Sequence, residues 1–174
     1  MNRRYIFTGG PGAGKTTLLD LLREKDFTCV PEVAREIIKE RLAKGLAPRP
    51  EPMQFARDIL TEDIAQYDNT ELGTQPIFFD RGIGDALYQL HECGKIQLDQ
   101  ITRYLSERPY NKKVFIFPPW PEIFVPDAER DQAYEEAVRV YQGLWDWYKQ
   151  FNYTLVQVPV GEPVQRLEFI MNSL

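Results

Sequence analysis

The segment GGPGAGKTT, residues 9–17, constrains this chain more than any other, and it sits between the apolar run YIFT and the leucine-rich LLDLL. Gly9, four residues, then Gly14, Lys15 and Thr16 satisfy the spacing G-x-x-x-x-G-K-[ST]. Glycines let the backbone curl until consecutive N–H groups face inward on an anion. Gly9, Gly10, Pro11, Gly12, Ala13, Gly14, Lys15, Thr16 and Thr17 are therefore expected to cradle a nucleoside triphosphate. Lys15 would reach the β- and γ-phosphates, and the Thr16 hydroxyl would ligate the Mg2+ that bridges them. The flanks agree. Residues 4–8 read as a short buried strand, and Leu18, Leu19, Leu21 and Leu22 as the buried side of a helix. That helix starts at the loop, so its positive dipole end adds to the phosphate site.

The rest of the chain is read for what it adds to that loop. Its 174 residues fit one domain, 1–174, with a real core and little room for a second. A net charge of −5 and no long basic run exclude an overall field for nucleic acid, and no stretch approaches transmembrane length. Cys29 and Cys93 form no CxxC or Cys/His cluster, and His91 has no partner at metal-ligand spacing. A reduced, cytoplasmic setting follows, with no membrane partner.

Short apolar runs alternate with helical patterns, which is the signature of βαβ units around a parallel sheet. FTCV, IFFDRG, KVFIF and YTLVQV follow the first strand as further strands. The helix of residues 31–45 opens at Pro31 and closes at Gly45, with Val33, Ile37, Ile38 and Leu42 on its apolar side. The helix after residue 131 repeats Ala137, Tyr141, Leu144 and Tyr148 at helical spacing, and Trp145 and Trp147 read as packing residues. The expected fold is a P-loop α/β/α sandwich, three layers deep, with a five-stranded, mostly parallel sheet and a lid loop over about 118–131. Ligands of such sheets collect beyond the carboxyl ends of the strands.

Polar residues at those strand ends are therefore the candidates. Asp80 follows IFF, where a carboxylate opposite the P-loop meets Mg2+ or serves as general base to a hydroxyl acceptor. These two roles need the same charge in slightly different places, and both stay open. Arg81 could steady the transferred phosphoryl group, with Asp85 one turn on to orient it or to meet the helix dipole, and Asp85 joins Glu32 and Arg35 as a candidate substrate-binding residue. Glu32 and Arg35, three apart after the second strand, suit recognition of a hydroxyl-bearing acceptor; a surface salt bridge would have the same spacing. Arg130, in the proline-rich PPWPEIFVPDAERD, is the candidate to close over the phosphates, with Trp120 and Phe124 facing substrate or anchoring the loop. Val160 and Gly161, after the last strand, are placed to contact the adenine.

GGPGAGKTTLL, PEVAREII, DRGIGD and PPWPEIFVPDAERDQ, in that order, resemble a family of small bacterial predicted ATPases called AAA-like, related to the kinase domain of nicotinamide riboside kinase. The likeness spans almost the whole chain. It implies ATP and Mg2+ at residues 9–17, Asp80 near the metal, and phosphoryl transfer to a small nucleoside-like acceptor near Glu32 and Arg35. The chain departs from a AAA+ motor: it has no separate helical lid domain, and IFFDRG lacks the D-E pair that activates water. No N-K-x-D guanine motif appears either. Two readings follow. One is a kinase for a nucleoside- or nucleotide-like acceptor, with Lys15, Asp80, Arg81, Arg130 and Glu32 as catalytic groups. The other is an ATPase that acts as a nucleotide-dependent switch for a protein partner. The lid and the Asp-Arg pair favour the kinase.

Overall fold

The computed structural model describes residues 2–124 and 134–174. Five strands form one sheet: β1 (Arg4–Gly9), β2 (Thr28–Val30), β3 (Ile77–Asp80), β4 (Lys113–Phe117) and β5 (Thr154–Gln157). Their spatial order is β2-β3-β1-β4-β5, and every pairing is parallel. The expected "mostly parallel" sheet is thus wholly parallel among the described residues. All six residues of β1 are buried, as suits a central strand covered on both faces.

Alternation along the central strands sorts two different cores. Tyr5, Phe7, Phe78, Phe115 and Phe117 face one side, where α1 (Lys15–Arg23) and α7 (Pro163–Asn172) cover them with Leu18, Leu19, Leu22, Leu167 and Ile170. Ile6, Ile77, Phe79, Val114 and Ile116 face the other. That side is covered by α2 (Val33–Ala43), α3 (Pro52–Asn69), α4 (Ile83–Glu92), α5 (Leu98–Glu107) and α6 (Tyr134–Gln150). Phe7 is fully buried, with ring centroids 5.3 Å from Phe78, 5.6 Å from Phe115 and 5.1 Å from Phe117. Removing such a ring typically costs about 3–5 kcal/mol, so Phe7 anchors the strand that carries the P-loop.

Helix ends follow local chemistry. Pro52 and Pro163 open α3 and α7, where a missing N–H costs nothing. Gln97 and Gln100 form a reciprocal capping box at α5. Leu42 departs from expectation: it is 42% exposed, and the apolar side of α2 ends a turn earlier at Ile38. The neighbouring edge strand β2 is only three residues long and offers no further surface to cover. Trp147 packs as expected, its ring against Phe151 and its Nε1 donating to the Gly84 carbonyl at 2.9 Å. No helix among the described residues is long and apolar enough to cross a membrane.

Candidate functional site

The loop from Gly9 to Gly14 joins β1 to α1 at the carboxyl edge of the sheet. Gly9 has φ 128°, and a Cβ there would lie 2.4 Å from the Phe117 carbonyl oxygen on the neighbouring strand. Only glycine fits so close a backbone approach. Gly14, at φ 79°, is the N-cap of α1 and leaves that helix end without a side-chain cap. The first N–H groups of α1 are thus left for an anion. Lys15 is buried, and its Nζ donates to the Gly10 carbonyl at 2.8 Å. Burial, with the Arg81 charge beside it, lowers its pKa to about 8 against the opposing pull of Asp80, Glu32 and Asp85.

Asp80 closes β3 beside this loop. Its Oδ2 lies 3.5 Å from the Thr16 hydroxyl, while its Oδ1 is buried and accepts no hydrogen bond. Burial first, and the Glu32 charge second, raise its pKa to about 6. A buried carboxylate oxygen without a donor is costly unless something else satisfies it. A divalent cation shared with phosphate oxygens would do so, and Thr16 and Asp80 are the residues that fit it. Among the described residues no group of three His, Cys, Asp or Glu could hold a metal. Mg2+ tolerates that, since it commonly takes one or two protein ligands and keeps phosphates and water for the rest.

Next to Asp80 the chain turns through Arg81 at φ 69°, a conformation uncommon for a residue with a side chain. The turn is held by the Arg81 N–H, which donates to the Phe7 carbonyl at 2.9 Å. The Arg81 guanidinium then bridges two carboxylates: Nε donates to Glu32 Oε1 at 2.9 Å and Nη1 to Asp85 Oδ1 at 3.1 Å. Glu32 is the N-cap residue of α2, and its Oε2 lies 3.6 Å from Arg35 Nε. Burial pushes the Glu32 carboxyl up, but Arg81, Lys15 and Arg35 outweigh it and hold it below the usual range. Arg81 is raised, the surrounding carboxylates outweighing its burial.

Asp85 has a second set of partners that the sequence did not signal. Thr8 donates to Oδ1 and Tyr148 to Oδ2, both at 2.6 Å. Thr8 lies in the buried strand β1 and Tyr148 in α6, so one carboxylate ties the sheet and a helix that follows the lid region to Arg81. Both Asp85 oxygens accept from protein donors, so neither is left over for an acceptor.

A cavity of about 860 Å³ opens over these groups. Its lining includes residues 11–17, then Glu32, Arg35, Arg81 and Asp85, and also Ile38, Phe55, Tyr88, Gln89, Val140 and Leu144. Gly161 lines it as well. Val160 and Asp80 are not among its lining residues; Val160 is 52% exposed and Asp80 lies beneath the surface. Phe124 packs against Gly12, where a Cβ would meet its ring at 2.7 Å. Phe124 is thus an anchor of the loop at the phosphate end, and Trp120 faces the cavity. Arg130 lies outside the described residues, as does the end of the expected lid.

Arg166 is a site residue that no motif announced. It is 3% exposed, donates Nη2 to the Ala13 carbonyl at 3.1 Å and Nε to the Pro159 carbonyl at 2.8 Å, and sits over the rings of Phe117 and Trp120. It therefore ties the P-loop to the segment after β5. In PVQRLEF it reads as an ordinary helix arginine.

Residues 4–166 match a family described as AAA domain. No curated protein matches the chain. Among solved structures it is similar to the NadR protein in complex with NR, with a TM-score of 0.72, 16% identity, and coverage of 99% of this chain and 50% of that one. It is also similar to deoxyadenosine kinase from M. mycoides with dCMP and dCDP bound, at TM-score 0.67 and 17% identity over 98% of this chain and 97% of that. Thymidylate kinase from Candida albicans gives a TM-score of 0.71 at 16% identity, over 99% and 90% of the two chains. At such identities the shared property is the fold, and the chain spans half the length of NadR.

Proposed function

The chain belongs to the AAA domain family, and we propose that it is a Mg2+-dependent small-molecule kinase that transfers the γ-phosphate of ATP to a nucleoside- or nucleotide-like acceptor. One observation carries this reading. The cavity is not lined by the P-loop alone; Glu32, Arg81 and side chains of α2, α3, α4 and α6 line it as well. A protein that only hydrolyses ATP needs a water beside the γ-phosphate, whereas a kinase needs a second chamber in line with it. The kinases among the fold neighbours support the same reading by analogy.

In this reading the backbone N–H groups of residues 9–16 and Lys15 hold the β- and γ-phosphates. Mg2+, when bound at Thr16 and Asp80, neutralises and orients those phosphates. Glu32 takes the acceptor proton, Arg35 helps place the acceptor, and Arg81 steadies the charge on the transferring phosphoryl group. Arg130 closes from the lid, and Gly161 flanks the adenine; Val160, outside the cavity lining, is given no part. The test is a panel of nucleosides, nucleotides and vitamin precursors assayed for acceptor-dependent ADP release. Stimulation of at least about tenfold over basal hydrolysis by one class of compound is expected of a working kinase site. Hydrolysis that no small molecule stimulates would leave the switch ATPase as the function.

A further inference from the structure

Resting on the reading of residues 9–17 as the ATP site, we propose that Arg166 is a further nucleotide-binding residue: its Nη1 donates to the α-phosphate of the donor, where the chain of phosphates leaves the loop for the base.

Three segments far apart in sequence build this position. Arg166 belongs to α7, and its Nη2 donates to the Ala13 carbonyl in the loop at 3.1 Å. Its Nε donates to the Pro159 carbonyl, after β5, at 2.8 Å. The guanidinium is thereby fixed across the gap between the loop and the segment that leads to Gly161. Its third nitrogen, Nη1, has no hydrogen-bond partner among the described residues. Nη1 lies beside Gly14, where a Cβ would be 2.6 Å from it. Gly14 is the N-cap of α1 and that helix end has no side-chain cap, so the positive end of the helix and the guanidinium converge there. Gly14, Gly161 and Arg166 all line the cavity.

A tether alone does not account for an arginine here. Two carbonyls are satisfied equally well by an uncharged amide, which is far less costly to bury than a cation. Arg166 is 3% exposed, and burial lowers its pKa, yet an arginine stays cationic near neutral pH. Its side-chain partners are those two carbonyls and the rings of Phe117 and Trp120, whose centroids lie 5.2 and 5.3 Å from its Cζ. None of them carries a negative charge. Glu162, one turn earlier, is exposed and meets Arg166 through the backbone, its carbonyl accepting from the Arg166 N–H at 3.1 Å. Arg81 differs, since its guanidinium is divided between Glu32 and Asp85. Rings and carbonyls offset part of the cost of burying Arg166, and an anion would offset more.

The nucleotide supplies that anion. With its β and γ groups in the loop and its base beside Gly161, the α-phosphate is the group that crosses the span from Ala13 to Pro159. It is ionised at neutral pH and offers two non-bridging oxygens. Those oxygens are stereochemically distinct, so one fixed donor tells them apart. The α-phosphate keeps its charge while Pγ is transferred, so the contact strengthens binding of donor and transition state alike and leaves kcat unmoved.

The experiment titrates wild type, Arg166→Met and Arg166→Lys calorimetrically with ADP and with the two α-phosphorothioate diastereomers of ADP. EDTA is present, so that no metal chooses between the sulfur and the oxygen. Wild type should bind one diastereomer at least about fivefold more tightly than the other. Arg166→Met should raise the Kd for ADP at least about tenfold, the scale of one charged hydrogen bond, and bring the two diastereomers within about twofold. Arg166→Lys keeps the charge without the fork and should recover part of the affinity. At saturating Mg-ATP, kcat should change less than about threefold in either variant. Equal binding of the diastereomers by wild type, or a preference that survives Arg166→Met, overturns the inference: Arg166 is then a tether, and the ATP reading stands. A wild type that binds no nucleotide overturns both. Should the variants fail to fold, the wild-type preference still decides.

Discussion

Raising the pH above 8 should strip this protein of nucleotide affinity while leaving it folded, and Lys15 is the reason. Burial, with Arg81 beside it, lowers the Lys15 pKa to about 8. Bound phosphates require its ammonium to be charged. Binding to the neutral form must therefore take up a proton. With a pKa of about 8, the neutral share in the free protein is roughly one tenth at pH 7 and nine tenths at pH 9. The apparent Kd for ADP should rise about tenfold from pH 7 to 9 and about tenfold again by pH 10, each tenfold step being about 1.4 kcal/mol. Without nucleotide the sign reverses. Between about 8 and the unfolded pKa of about 10.4, the unfolded chain holds the extra proton, so this residue adds stability as pH rises. Calorimetric titration with Mg-ADP in two buffers of different ionisation enthalpy reads the Kd and the proton count together. About half a proton should be taken up at pH 8. Lys15→Arg, whose charge does not titrate in this range, should bind more weakly but lose the slope. A wild-type Kd that moves less than about twofold between pH 7 and 9 would refute the argument.

Asp63→Asn should stabilise the protein increasingly as pH rises from 4 to 6. Burial first, then the Asp85 and Glu32 charges, raise this carboxyl well above its usual range against the pull of Arg81, and its Oδ2 has no hydrogen-bond partner. The folded chain keeps a proton that the unfolded chain gives up above about pH 4, so the wild type loses up to about 1.4 kcal/mol per pH unit until Asp63 ionises. A Tm difference between variant and wild type that stays constant over that interval would contradict this. Tyr148→Phe removes one donor from buried Asp85 and should cost about 1–3 kcal/mol of stability, read from denaturant midpoints. Because Asp85 also holds Arg81, the same change should lower kcat about tenfold or more with little effect on the Kd for ADP. Equal losses in both would uncouple Tyr148 from the site.

The P-loop was legible because everything it needs lies within nine consecutive residues: where glycine is required, and where the lysine and threonine fall, are local facts of backbone geometry. Asp80, Glu32 and Arg81 were legible for a related reason. A buried strand announces itself by its apolar run, and in a parallel sheet the residue that ends the run sits at the ligand edge. Even the link from Arg81 to Asp85 follows from a four-residue spacing. The strand order, however, is a property of how helices pack on two faces, and the sequence carries no local trace of it. Nor does it show which side of a helix meets the site. Arg166 reaches Ala13 across 153 residues, and Tyr148 reaches Asp85 across 63. Leu144 reads as a core residue by periodicity, yet it lines the cavity, as do Phe55 and Tyr88. Periodicity reports that a side chain leaves water, and it is blind to whether protein or a ligand takes the water's place; that is decided only when α3, α4 and α6 settle on the sheet and leave a gap between them.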